Sequence, residues 1–187
     1  ITIFNNSGES FDIPSNEIES IYYAHHNQMN FNLNIATINR KADDIFIDEL
    51  TRDSFQFCST HYDSKDNTSS RYLPDLLKIL EYAKVKYESI HRIKSNITTK
   101  LIGYKDNFHQ PAHTDYGTDN YFSFIYYVNN SDGNTYFFNK DNEIIESVEP
   151  REGRAVMFDS NISHAGSNPI HSSLRMVVNY VLEKKLQ

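Results

Sequence analysis

The run Gln110-Pro-Ala-His-Thr-Asp115 sets an imidazole and a carboxylate two residues apart. Alternate residues of an extended chain point to one face, so His113 and Asp115 can reach a single ion without bending the backbone. Two ligands do not make a site, and the same spacing recurs at His61 and Asp63. With 8 histidines and 14 aspartates in 187 residues, about 0.6 such pairs arise by chance. Surroundings therefore have to separate the two pairs. His61 and Asp63 fall in the polar run 59–70, which has no hydrophobic period and reads as an exposed loop. A mobile loop does not hold ligands to the tolerance a metal requires, and this one reads instead as a segment able to close over a bound molecule.

Working outward, the length of 187 residues and the 39% apolar content suit one core, so a single domain over 1–187 is expected. No apolar run approaches the length of a membrane span and no leader opens the sequence. The lone cysteine, Cys58, fits a reducing compartment and leaves any metal to His and carboxylate ligands. A soluble, cytoplasmic protein is the expectation. A formal charge of −7 argues against a broad nucleic-acid footprint.

The N-terminal part suggests a short helix over 16–24 capped by Ser15, with His25 and His26 as C-terminal helix cations, and a strand over 31–38. Residues 45–50 fit strand or helix. A long helix is expected over 73–93, where Leu73, Leu76, Leu77, Leu80, Ala83, Tyr87 and Ile90 recur at three- and four-residue steps and Pro74 suits the first turn. His91 then reads as another helix-end cation. After Lys94 the texture changes: five of the six glycines follow, and short apolar runs alternate with turn residues. Strands are expected near 98–104, 108–115, 121–129, 134–139, 143–148, 154–159, 162–166 and 174–183. The fold class is mainly β (α+β), a double-sheeted jelly roll like a cupin, with N-terminal helices in support. Residues 1–95 form the support and substrate lid, and 96–187 the core.

Three residues downstream give the His113–Asp115 pair company. His164 follows the apolar strand 155–158 and supplies a third ligand if its strand lies opposite. Two His and one carboxylate on one face leave coordination positions open, the arrangement suited to non-haem Fe(II). Arg175 sits among Leu174, Met176, Val177 and Val178, where a guanidinium is either an edge residue or buried against a carboxylate. Tyr127 shares a strand face with Ile125 and Ser123, opposite Phe122, Phe124, Tyr126 and Val128, and is either core packing or a hydroxyl beside Arg175.

In this order, His113-x-Asp115, His164 and Arg175 resemble the Fe(II)- and 2-oxoglutarate-dependent dioxygenases, over roughly residues 98–183. Ile125-Tyr-Tyr-Val-Asn129, Asp132-Gly-Asn-Thr135 and Pro150-Arg-Glu-Gly-Arg-Ala-Val-Met-Phe158 are most similar to the prolyl 4-hydroxylase-like branch. The resemblance implies a double-stranded β-helix in which His113, Asp115 and His164 hold Fe(2+). It implies that Arg175 and Tyr127, with Tyr104 and Asn179 lining the same pocket, bind the 2-oxoglutarate cosubstrate. O2 is the co-reactant and ascorbate a supporting reductant. The expected partner is a prolyl residue of a peptide or protein, or alternatively a free amino acid or other small molecule; a cupin-like metal protein that does not use 2-oxoglutarate is the rival class. The second glycine of the turn is replaced by Asn134, and Arg175 stands eleven residues after His164. As a ligand on the surface, Asp115 is expected to be removable with little loss of fold.

Overall fold

The computed structural model describes residues 56–100 and 108–185, with the backbone of three short strands before them: β1 (Thr2–Phe4), β2 (Ser10–Asp12) and β3 (Asn34–Ile35). The helix expected over 16–24, the segment 45–50 and Tyr104 lie outside the described residues. Next come β4 (Gln56–Asp63), β5 (Thr68–Ser69), the helix α1 (Leu73–Tyr82) and β6 (Ile90–Thr99). They are followed by β7 (Tyr121–Tyr127), β8 (Thr135–Phe138), β9 (Ile144–Val148), β10 (Ala155–Asp159), β11 (His164–Gly166) and β12 (Leu174–Glu183).

The strands form the two sheets of a jelly roll. The larger runs β2-β1-β10-β7-β12-β6-β4-β3, with β5 paired to β4, and the smaller runs β11-β8-β9. Central strands β7 and β12 are rich in aromatic and β-branched residues, which suit a pleated surface covered on both sides. Their faces divide as the alternation predicts. Phe122, Phe124, Tyr126, Met176, Val178, Tyr180 and Leu182 pack in one cluster with Leu76, Ile79 and Leu80 of α1. The Tyr180 hydroxyl also donates to the Leu76 carbonyl at 2.9 Å, tying helix to sheet. Ile125, Tyr127 and Val177 take the other face and meet Phe137 and Phe158 between the sheets.

Three expectations are corrected. The helix does not run to 93: it ends at Tyr82, and Lys84, at φ 52°, turns the chain while the Val85 amide bonds back to the Leu80 carbonyl. Tyr87 and Ile90 continue the helical spacing by coincidence. Residues 90–99 are instead a strand between β12 and β4, consistent with the β-branched Ile90, Ile93, Ile97, Thr98 and Thr99. Nor is 59–70 one exposed loop, since β4 carries the chain through Asp63. His61 falls where the β4–β6 register shifts and is only 2% exposed, with Nε2 2.7 Å from the Ser95 hydroxyl and Nδ1 3.1 Å from that of Ser70. A polar sequence hid a buried, satisfied histidine.

The segment 108–115 is not a regular strand either. Its one isolated β-bridge among the described residues joins His113 and His164, and that bridge builds the site.

Candidate metal centre and anion pocket

The His113 amide donates to the His164 carbonyl, and the His164 amide to the His113 carbonyl, each at 2.9 Å. Residues paired in this way present their side chains on the same face, and the ring centroids lie 4.6 Å apart. Two residues on, the Asp115 amide bonds the Ser160 carbonyl at 3.0 Å, fixing its carboxylate beside the rings. One ligand atom from each of His113, Asp115 and His164 lies within 4.8 Å of the others.

Both imidazoles are oriented from behind. His164 Nδ1 is 3.0 Å from the Ile162 carbonyl and His113 Nδ1 is 3.3 Å from that of Pro111. A carbonyl only accepts, so each Nδ1 carries the hydrogen and each Nε2 keeps a lone pair for the shared space. Burial lowers the His164 pKa, with His113 adding to the effect against the opposing pull of Asp115, so this ring is a neutral donor at neutral pH.

Asp115 is not the surface ligand expected from the sequence; its side chain is 2% exposed. Oδ1 accepts from Arg92 Nη2 at 3.0 Å, Oδ2 accepts from the Ser123 hydroxyl at 2.7 Å, and Asn179 Nδ2 reaches both oxygens at 3.0 and 2.9 Å. Burial by itself would raise this carboxyl's pKa. The electrostatic pull of the neighbouring His164 ring, the Asn179 and Ser123 hydrogen bonds and the Arg92 guanidinium together hold it below the usual carboxylate range. An ionised carboxylate and two imidazole lone pairs on one side of a space are a donor set that fits Fe(II).

The triad borders a cavity of about 480 Å³ between the sheets. At one end lies Arg175, 5% exposed, its Nη2 donating to Thr135 Oγ1 at 2.8 Å. Burial lowers its pKa, yet a guanidinium stays protonated in proteins. Its Nε has no hydrogen-bond partner, and among the described residues no carboxylate forms an ion pair with it. A buried cation without an anion is costly, and this one faces a cavity. Thr135 Oγ1 accepts from both Arg175 and the Tyr127 hydroxyl, the latter at 2.8 Å, so its own hydrogen remains to be donated. Gly166 leaves room for the guanidinium: a Cβ there would stand 3.1 Å from Arg175 Nη1.

The family model of the 2OG-Fe(II) oxygenase superfamily matches residues 99–182, a span that contains the triad, Thr135 and Arg175. This segment is similar to the 2OG-Fe(II) oxygenase superfamily. The superfamily implies Fe(2+), 2-oxoglutarate and O2 as its reagents. Among solved structures, an oxidoreductase of the 2OG-Fe(II) oxygenase family from Burkholderia pseudomallei shares the fold with a TM-score of 0.55, at 12% identity over 72% of this chain and 71% of that one. A prolyl-4-hydroxylase from Pseudomonas putida aligns with a TM-score of 0.48 and 17% identity over 81% and 78% of the two chains. A Trichoplax adhaerens prolyl hydroxylase, in complex with a hypoxia inducible factor oxygen degradation domain peptide fragment, aligns at 0.46 and 10% over 90% and 76%. No curated protein matches the sequence.

Within this site, the residues singled out from the sequence take different stations. His113, Asp115, His164, Arg175 and Asn179 all border the cavity. The Asn179 amide nitrogen is spent on Asp115, which makes it a positioning residue for that carboxylate. Tyr127 is fully buried behind the wall, and its hydroxyl meets the cavity-lining Thr135 and Arg175. Of the other aromatic rings near the triad, His109 lies against Phe138 and Tyr136, with ring centroids 4.9 and 6.0 Å away, and Tyr116 packs on Tyr121 and His91. Sequence reasoning missed Arg92, Ser123 and Thr135. Ser123 is visible as the one serine in an aromatic strand and Thr135 as the end of the glycine turn, whereas Arg92 is concealed by the overextended helix.

Proposed function

We propose that this chain is an Fe(II)- and 2-oxoglutarate-dependent dioxygenase that hydroxylates an unactivated C–H bond, with residues 1–187 as one domain and the first 95 supporting the core. His113, Asp115 and His164 are the metal ligands in this reading, and Arg175 with Thr135 holds the distal carboxylate of 2-oxoglutarate. The observation that carries it is the buried Arg175, with no carboxylate partner among the described residues, in the cavity that the two imidazoles and Asp115 border. A planar guanidinium with a free edge and a hydroxyl hydrogen beside it match a carboxylate in geometry and charge.

Bound iron, 2-oxoglutarate and O2 supply the oxidising power, with succinate and carbon dioxide as co-products. The chain supplies placement. Asn179, Ser123 and Arg92 keep the Asp115 carboxylate ionised and aimed, while the Ile162 and Pro111 carbonyls fix the tautomers of the two rings. Ile125 and Val177 give the cavity apolar wall, where water competes poorly for the Arg175 end. With a carboxylate as the third ligand, no halide position is left, so hydroxylation is the expected outcome. For the target we favour a prolyl residue of a peptide or protein, supported by the similarity of 125–129, 132–135 and 150–158 to the prolyl 4-hydroxylase-like branch.

Anaerobic titration with Fe(II) and 2-oxoglutarate, followed by assay of succinate release in air with ascorbate as supporting reductant, tests the reading. Arg175→Ala is expected to weaken 2-oxoglutarate binding by ~30- to 150-fold, the equivalent of about 2–3 kcal/mol for a lost charge-assisted pair. A wild-type protein that binds no 2-oxoglutarate, or a variant that binds it normally, would refute it.

A further inference from the structure

The wall of the cavity contributed by β6 has no part in the reading above beyond Arg92. Arg92, Lys94, Asn96 and Thr98 alternate along the strand and line the cavity. Lys94, Asn96 and Thr98 are registered beside Asn179, Val177 and Arg175 of β12. At about 3.3 Å per residue, Lys94 stands roughly 13 Å along the strand from Thr98 and Arg175. The cavity therefore has a cationic residue near each end, with Asp115 and the histidines on the Lys94 side. Among the described lining residues, the cations Arg92, Lys94 and Arg175 outnumber the single carboxylate, Asp115, in a protein whose formal charge is −7. Lys94 makes no ion pair among the described residues.

The same wall is polar without being satisfied. Arg92 Nε, Asn96 Oδ1, Thr98 Oγ1, Arg175 Nε and Asn179 Oδ1 are buried and lack a hydrogen-bond partner, and every one of these residues lines this cavity. Buried polar atoms are seldom left unpaired unless a ligand or solvent completes them. A five-carbon diacid held at Arg175 has roughly 5 Å between its end carbons, which does not cover the length of this wall.

We propose that Lys94, with Arg92 beside it, receives a carboxylate of the hydroxylation substrate, so that the enzyme acts on an acidic molecule. The inference rests on Arg175 as the 2-oxoglutarate anchor, because only then is Lys94 free for a second anion. The carboxylate is either the free end of an amino acid or an acidic side chain near the target in a peptide, and the test has an arm for each.

The protein, loaded with Fe(II) and saturated with 2-oxoglutarate under nitrogen, is titrated with L-proline against L-prolinamide, and with acetyl-Pro-Glu-amide against acetyl-Pro-Gln-amide. The expected result is at least ten-fold tighter binding of the acid over its neutral counterpart in one arm. Lys94→Met abolishes that preference and Lys94→Arg restores it, both with 2-oxoglutarate affinity within two-fold of wild type. Equal binding of acid and amide, no binding in either arm, or a preference that survives Lys94→Met overturns the proposal. So does a loss of 2-oxoglutarate affinity in Lys94→Met comparable to that in Arg175→Ala, which would assign Lys94 to the cosubstrate. If wild type binds 2-oxoglutarate without the acid preference, this inference fails alone; if it binds none, the reading of Arg175 fails as well.

Discussion

His113 and His164 are joined through their backbones, each amide donating to the other's carbonyl at 2.9 Å. Their imidazoles are thus brought together by the chain, independently of the rings. His113 is exposed, so His113→Ala removes little packing, and its effect on stability is expected to stay within about 0.5 kcal/mol. Stoichiometric iron binding should be lost. Metal analysis alongside thermal unfolding checks both halves; a variant that retains one iron per chain would show that His113 is not a ligand.

Asp115 is a different case, because four neighbours converge on its buried carboxylate. Asp115→Ala strands the Asn179 amide and Arg92 together and leaves the Ser123 hydroxyl only that of Ser160. Removing one member of a buried pair costs about 3–5 kcal/mol, and the partial exposure of Arg92, 29%, lowers the expectation to about 2–3 kcal/mol. Urea unfolding of the metal-free protein measures this directly. Metal-free stability equal to wild type would mean that the carboxylate is dispensable to the fold, as its sequence position had suggested.

How much could be read in advance follows from how local each signal is. The face pattern of β7, with Ser123, Ile125 and Tyr127 against Phe122, Phe124 and Tyr126, is a period of two within seven residues, and it is what the structure has. The triad was also legible, since His113 and Asp115 are neighbours and His164 follows an apolar strand. By contrast, the β-branched residues of 90–99 are only a weak local sign of a strand: its partners β4 and β12 are distant in sequence, and Tyr87 and Ile90 happen to extend a helical spacing. That error hid Arg92 and Lys94. The polar sequence neighbours of His61 give no sign of its burial, because its actual neighbours, Ser95 and Tyr72, come from outside its own strand.

Two acid-sensitive windows are expected. Burial lowers the His61 pKa from 6.5 to about 4. Between those values the unfolded chain binds a proton that the folded chain refuses, so stability falls as pH drops through the window, by up to about 3 kcal/mol. Asp115 and Asp132 are also shifted down, each from the ordinary carboxylate value. The Asp132 carboxylate accepts from the amides of Ile170, His171 and Ser172, which outweigh its burial, and its pKa is pulled well below the usual range. Such carboxylates stabilise the fold fully above the ordinary value of 3.8 and lose that contribution as pH falls through their folded pKa. Urea midpoints between pH 4 and 7 for wild type and His61→Gln isolate the first window. An identical pH slope in the two proteins would show that His61 is not its source.

Gly133 and Gly166 both stand against the elements that hold Arg175, and they should fail differently when enlarged. A Cβ at 133 would lie 2.6 Å from the Ser167 carbonyl oxygen, a backbone atom that cannot swing aside, so Gly133→Ala is expected to destabilise the protein by about 1–3 kcal/mol. A Cβ at 166 meets only the guanidinium, 3.1 Å from Nη1 and 3.3 Å from Cζ and Nη2. Arg175 is tied on its other side to Thr135 at 2.8 Å, with the Tyr127 ring centroid 5.8 Å from its Cζ, so a push from 166 tilts the fork away from the geometry that Thr135 sets. Gly166→Ala should therefore fold with a melting temperature near wild type while 2-oxoglutarate affinity falls by about ten-fold, or about 1.4 kcal/mol. Calorimetric titration and thermal unfolding of the two variants separate the effects. If Gly166→Ala bound 2-oxoglutarate as tightly as wild type, the cosubstrate would not depend on the orientation of the Arg175 guanidinium.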